Sequence, residues 1–268
     1  MYPKKEKYSQ PKGKNYLNGV KEHRVKERTM VFGIRAVMEA VEAGKEFDRI
    51  LIRRDMGSAI GKQLEEKLKE SKMVVQRVPL EKLNRITEKN HQGAIGFLSE
   101  ISYQKIEDIV PQVYESGKTP LIVVLDGVTD VRNFGAIART CECAGVDAIV
   151  LPFRGNVSVN ADAIKTSAGA LHHIPICRVD NLETVLQFLA DSGIQIVAAS
   201  EKSKKLYTKC DFTVPTAIVM GAEDVGLSPQ SLNMSHQQVR IPIVGKVESL
   251  NVSVSAGILI YEVLRQRG

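Results

Sequence analysis

Six short apolar runs, "PLIVVLDGV", "DAIVLP", "IPICRV", "IQIVAAS", "TAIVMG" and "VRIPIV", lie between residues 120 and 244 and limit the possible folds more than any other feature of this chain. They are rich in β-branched residues and nearly continuous rather than alternating. Strands with this pattern are covered on both faces, as in a parallel sheet. Helical periodicity separates most of them, as in "NFGAIARTCECAG" and "LETVLQFLADSG", and repeated βα units build a mostly parallel sheet with helices on both sides.

The preceding segment also alternates, but on a smaller scale. "VFGIRAVMEAVEAG" has the spacing of a helix, "FDRILIRR" of a strand, "SAIGKQLEEKLKES" of a helix, "MVVQRV" of a strand, "LEKLNRIT" of a helix and "AIGFLS" of a strand. We expect a compact α/β unit over residues 30–99, a linker with one short helix over 100–118 around Pro111 and Gly117, and the large domain over 119–268.

The net charge of +6 is confined to one place. Residues 1–29 hold nine lysines and arginines against three glutamates, which accounts for all of it. This stretch reads as a basic, flexible tail, either solubilising or able to touch phosphates without sequence preference. It has no apolar core of the kind a secretion signal carries, and no run in the chain reaches the length that spans a bilayer. The expected location is the cytoplasm. Cys141, Cys143, Cys177 and Cys210 form no CxxC pair and lack histidines at zinc spacing, so buried thiols are expected and no metal. His172 and His173 stand side by side before a strand and suggest no site.

Open parallel sheets bind ligands beyond the carboxyl ends of their strands. Neither GxGxxG nor GxxxxGK[ST] follows any strand here, which excludes the usual dinucleotide and P-loop readings. Three loops are unusual instead. In "DGVTDVRNFGAIART", Asn133 suits a helix N-cap, Gly135 permits a close approach, and Arg139 could pair with Glu142 on the surface. In "VMGAEDVGLSP", Glu223 and Asp224 sit in a turn closed by Gly226. In "RIPIVGKVESLNVSVSAG", Asn251 can cap the last helix, but capping does not account for the apolar residues around it.

In this order, the three segments resemble the motifs of the SpoU (TrmH) family of RNA ribose 2'-O-methyltransferases, part of the SPOUT superfamily. "NFGAIART" is similar to the first motif, "VMGAEDVGLS" to the second and "IPIVGKVESLNVSVSAGILIYE" to the third. The front segment, with "VFGIRAVMEAVEAGK" and "HQGAIGF", resembles the small RNA-binding domain of the branch that modifies 23S rRNA.

The resemblance implies an α/β fold whose carboxyl-terminal domain is a trefoil-knotted parallel sheet, behind a small α/β RNA-binding domain. It implies S-adenosylmethionine as cofactor, held near Gly221, Ile241 and Leu250. Arg139 would be the catalytic residue, acting either as base or as a phosphate anchor, since a guanidinium gives up a proton reluctantly. Asn133 would position the first loop, Glu223 would hold the knot loops, and Ser249 and Asn251 would line the reacting centre. The substrate implied is a 23S rRNA guanosine of the peptidyl-transferase P loop, modified by a homodimer. The alternatives are a tRNA ribose methyltransferase of the same family, whose D-loop-specific members usually lack a front domain, and a non-catalytic RNA-binding or ribosome-assembly factor.

Overall fold

The computed structural model describes residues 30–71, 73 and 75–268. The basic tail expected at 1–29 lies outside the described residues.

The front unit runs β1 (Met30–Phe32), α1 (Ile34–Glu42), β2 (Phe47–Arg53), α2 (Ala59–Glu70), β3 (Val75–Val78), α3 (Leu80–Ile86) and β4 (Ala94–Leu98). Its four strands are ordered β1-β4-β2-β3, with β4 antiparallel to both neighbours and β2 parallel to β3. Alternation along β2 sorts the core. Ile50 and Ile52 pack under α1 and α2 with Val37, Leu64 and Leu68, while Leu51 turns to the other face with Leu83 and Ile95. The helix expected from residue 31 begins only at Ile34. Gly33, at φ 97°, turns the chain, and the three residues before it pair with β4.

The large unit runs α4 (Ile106–Glu115), β5 (Leu121–Asp126), α5 (Val131–Cys143), β6 (Ala148–Pro152), α6 (Ala161–Thr166), β7 (Ile176–Val179), α7 (Leu182–Asp191), β8 (Gln195–Ala199), β9 (Thr216–Gly221), α8 (Pro229–Met234), β10 (Gln237–Val239) and α9 (Val252–Arg267). Every strand pair in its sheet, ordered β10-β8-β9-β5-β6-β7, is parallel. Val123 and Leu125 of β5 face α5 and α9, while Ile122 and Val124 face α4 and α7.

Two expectations need correction. The stretch expected to be a linker with one short helix does carry a helix, α4, but it is no linker: Ile106, Ile109, Val110 and Val113 are buried in the same cluster as Ile122 and Val124. Ahead of it, Tyr103 forms an isolated bridge to Ile176 at the edge of the sheet, and Gln104 donates to the Ile176 carbonyl at 2.9 Å. Chain from 103 onward is therefore part of the large unit. The last run, "VRIPIV", leaves the sheet at Val239. Pro242 has no N–H to offer a ladder, and Ile241 and Ile243 instead turn toward a cavity.

α9 runs back across the sheet. Asn251 caps its start at the carboxyl ends of the strands, accepting from Ser253 N at 2.9 Å. At the other end, the Arg267 guanidinium donates to the carbonyls of Thr119, Pro120, Phe212 and Val214 at 2.6–3.1 Å, at the amino-terminal entry of β5 and β9. The last helix is thus anchored at the carboxyl-terminal and the amino-terminal side of the sheet.

Candidate active site

The carboxyl ends of β8, β9 and β10, with the first turns of α9, surround a cavity of about 410 Å³. Its floor is apolar, made by Met220, Val239, Val252 and Leu259, and Ile241, Ile243 and Leu250 form its walls. Glu201, Lys202, Glu223, Asp224 and Glu248 stand at the polar edge. A flat apolar group with a positive charge matches this lining, because four carboxylates outnumber one ammonium. Gly221, Ile241, Leu250, Ser249 and Glu223 all line the cavity, so five of the residues singled out in the sequence converge there.

The loop after β9 folds back tightly. Ala222 and Gly226 exchange backbone hydrogen bonds of 3.0 Å, and Gly226 adopts φ 72°. A Cβ on Gly221 would lie 2.4 Å from the Gly226 carbonyl carbon and 2.5 Å from Leu227 N. Glycine is required there by the loop's own backbone, not only by a ligand. Gly135 has a similar role between helices: a Cβ there would lie 2.6 Å from Thr166 Cβ, in α6. The loop is also tied to β5. Asp126 Oδ2 accepts from Ser228 N at 2.9 Å and from Ser231 Oγ at 2.7 Å.

Asn133 is not the helix cap expected of it. Asp130 takes that position, its Oδ1 accepting from Arg132 N at 2.7 Å and Asn133 N at 3.0 Å. With both amides satisfied, the Asn133 side chain is free to bridge the other two loops. Its Nδ2 donates to Glu223 Oε1, and its Oδ1 accepts from Asn251 Nδ2 at 3.0 Å. One hydrogen-bonded row thus joins residues separated by 90 and 118 positions in sequence. Asn251 completes it by capping α9 with its own carbonyl oxygen.

Arg139 stands apart. It is exposed on α5, does not line the cavity, and lies ~9 Å along the helix from Asn133. Among the described residues it has no hydrogen bond or ion pair, so the surface pair with Glu142 does not form. Of the other sequence candidates, His172 and His173 are exposed, Cys141 and Cys210 are buried, and burial pushes the Cys177 thiol up to about 12. Cys143 departs from the expectation of buried thiols and is exposed. No cluster of three potential ligands for a metal occurs among the described residues, and no described helix is long and apolar enough to cross a membrane.

Sequence reading missed Asp126, Ser200, Glu201 and Lys202. Each follows the carboxyl end of an apolar run, so the strand-end rule marked these positions, but no motif distinguished them.

A model of the SpoU rRNA methylase family matches residues 120–261, and one described as RNA 2'-O ribose methyltransferase substrate binding matches residues 30–104. A putative TrmH family tRNA/rRNA methyltransferase of Staphylococcus saprophyticus is 33% identical over 241 residues, 90% of this chain and 97% of that protein. The crystal structure of an AdoMet-bound rRNA methyltransferase from Sinorhizobium meliloti superposes with a TM-score of 0.56 at 26% identity, covering 88% of this chain and 87% of that one. The A. aeolicus TrmH/SpoU tRNA-modifying enzyme gives 0.51 at 32% identity, covering 60% of this chain and 83% of its own. The matched models span both structural units and all three loops of the site, and the chain belongs to the SpoU (TrmH) family of RNA 2'-O-ribose methyltransferases.

Proposed function

We propose that this protein methylates the ribose 2'-hydroxyl of a guanosine in 23S rRNA, in the peptidyl-transferase P loop, as a cytoplasmic homodimer using S-adenosylmethionine. The observation that carries the chemistry is the Glu223–Asn133–Asn251 row, which closes the three motif loops over one acid-rimmed apolar cavity. The rRNA target is supported by the front unit, which matches a substrate-binding model and is the part that D-loop tRNA enzymes usually lack. The trefoil knot belongs to the same reading, and α9, anchored at both ends of the central strands, is its threaded element.

When bound, S-adenosylmethionine supplies a methyl carbon on a sulfonium, with a neutral thioether as the leaving group when the C–S bond breaks and the ribose O–C bond forms. Ile241 and Leu250 would hold the adenine by apolar contact, and the loop after Gly221 would offer backbone groups to its edge. Asn133, Glu223, Ser249 and Asn251 fix the loops around the reacting centre. Arg139 binds the phosphate beside the target ribose and, keeping its own charge, stabilises the negative charge that develops on the 2'-oxygen as the hydroxyl proton passes to solvent.

The dimer is supported by α9. Val254 and Tyr261 are 50% and 53% exposed, with Ile258 between them on the same face, so the helix shows an apolar stripe left partly uncovered by the described residues. Protein incubated with methyl-labelled cofactor and separate transcripts of a P-loop fragment and of tRNA should label a guanosine of the fragment. Label in tRNA alone would reassign the substrate, and cofactor binding without label in any RNA would favour an assembly factor.

The front unit has its own basic cleft. Arg35 and Arg53 flank a cavity of about 490 Å³ with Met56, Ile60 and Gln92. Gln92 is held at φ 51°, a strained conformation for a non-glycine residue, and its Oε1 caps α1 by accepting from Ile34 N at 3.2 Å. His91 frames this turn: Nδ1 accepts from Gly93 N at 3.0 Å, Nε2 lies 2.8 Å from Asn84 Oδ1, and burial lowers its pKa. Replacing both arginines by alanine should weaken RNA binding ~10-fold near physiological salt and flatten the log–log salt dependence by about 1 to 2. Calorimetry with S-adenosylhomocysteine should be unaffected. An unchanged salt slope would remove the cleft from the RNA path.

A further inference from the structure

The two units are joined by a buried ion pair, not merely by a peptide segment. The side chains of Asp48, in β2, and Arg178, in β7, are 6% and 2% exposed, with Arg178 Nη1 2.8 Å from Asp48 Oδ1. The same Nη1 donates to the Asp48 carbonyl at 2.7 Å, and Nη2 donates to the Val157 carbonyl at 3.2 Å. Asp48 Oδ1 also accepts from Tyr103 OH at 3.0 Å and Val159 N at 3.1 Å. The guanidinium lies 5.3 Å from the Tyr103 ring centroid and 5.1 Å from that of Phe153. Burial, with the Asp48 carboxylate beside it, raises the Tyr103 phenol well above its usual range and keeps it a donor. Buried pairs of this kind add little stability over apolar packing, and they hold one geometry because any other strands a charge.

The segment that receives this network leads into the active site. Val157 N donates to the Val128 carbonyl at 2.9 Å, and Asn156 Nδ2 to the Leu125 carbonyl at 3.0 Å. Next along β5 is Asp126, whose carboxylate holds the loop after β9 through Ser228 and Ser231. A continuous chain of bonds therefore runs from the front unit to Ser228, two residues beyond Gly226 in the loop that walls the cavity.

We infer that Asp48 and Arg178 are positioning residues that set the stance of the RNA-binding unit relative to the methyl donor, so that the fixed reach between the two selects which nucleotide is methylated. The inference rests on the proposed RNA methylation. Contacts between units in one chain are often loose enough to permit relative motion, and an RNA gripped at two points gains from a fixed span through effective concentration.

The test pairs Asp48→Leu with Arg178→Met, which leaves neither charge alone in the interface. Tyr103→Phe, which removes one donor, is the milder second variant. Small-angle scattering of the double variant should give a larger radius of gyration than the parent, with unchanged S-adenosylhomocysteine binding. Its KM for the RNA fragment should rise ~10-fold while kcat falls less, with methylation spreading to a neighbouring nucleotide. Tyr103→Phe should shift KM and the methylation pattern in the same direction by less. A folded double variant with the parent's radius of gyration, KM and single methylated position overturns the inference. If the parent methylates no RNA, the underlying function fails instead, and scattering alone still reports whether the pair holds the two units together.

Discussion

Gly221→Ala is expected to weaken S-adenosylmethionine binding by at least ~100-fold in a protein that remains folded. The added methyl would meet backbone, not a side chain that can swing aside: Gly226 C at 2.4 Å, Leu227 N at 2.5 Å and Gly226 O at 2.6 Å. The loop must therefore move, and its position is fixed from two sides, by the Ala222–Gly226 bonds and by Asp126 holding Ser228. Overpacking of this kind costs typically 1–3 kcal/mol, a loss of several degrees in melting temperature for a domain of this size. Binding suffers far more, since Ala222, Glu223, Asp224, Val225 and Gly226 all form cavity wall and a displacement of about 1 Å misplaces them together. Calorimetry and thermal unfolding of the same preparation separate the two effects. A variant that binds the cofactor as the parent does would mean that this cavity is not its site.

How much of this could be read beforehand depended on how local the cause was. Five of the six apolar runs became parallel strands because burial on both faces is written into each of them, while "VRIPIV" keeps only Val239 in the sheet. The stripe of Ile106, Ile109, Val110 and Val113 was equally legible as helix, but the sheet face it covers was not. Pro111 and the polar residues around it therefore suggested a linker. Taken locally, Asn133 suits a cap as well as Asp130 does, and only the structure shows that Asp130 satisfies both amides and frees the Asn133 side chain for the other loops. The Asp48–Arg178 pair left no local trace at all. Each looked like an ordinary charged residue on a short strand, and their partnership depends on how two separate sheets meet, 130 residues apart.

The position of Arg139 leads to the second large effect. It is exposed, without a hydrogen bond or ion pair among the described residues, and absent from the cavity lining, although it lies on the helix that carries Asn133. α5 packs against α9, and α9 presents the stripe of Val254, Ile258 and Tyr261, which the described residues leave partly uncovered. In the proposed dimer, a two-fold interface on this stripe would be self-complementary, and each chain's Arg139 would reach the cavity of the other. Arg139→Ala and Gly221→Ala should then each be inactive as homodimers, one lacking the charged group and the other the cofactor. Coexpressed with different affinity tags and purified through both, the heterodimer carries one lesion in each chain. Acting across the interface, Arg139 leaves both defects in one site and none in the other, so up to about half of the parent activity should return. Acting within its own chain, it leaves one defect in each site and no activity. A folded, dimeric, RNA-binding heterodimer without activity would assign each site to a single chain, and Arg139 would then need a motion of α5 or of the bound RNA to reach the ribose.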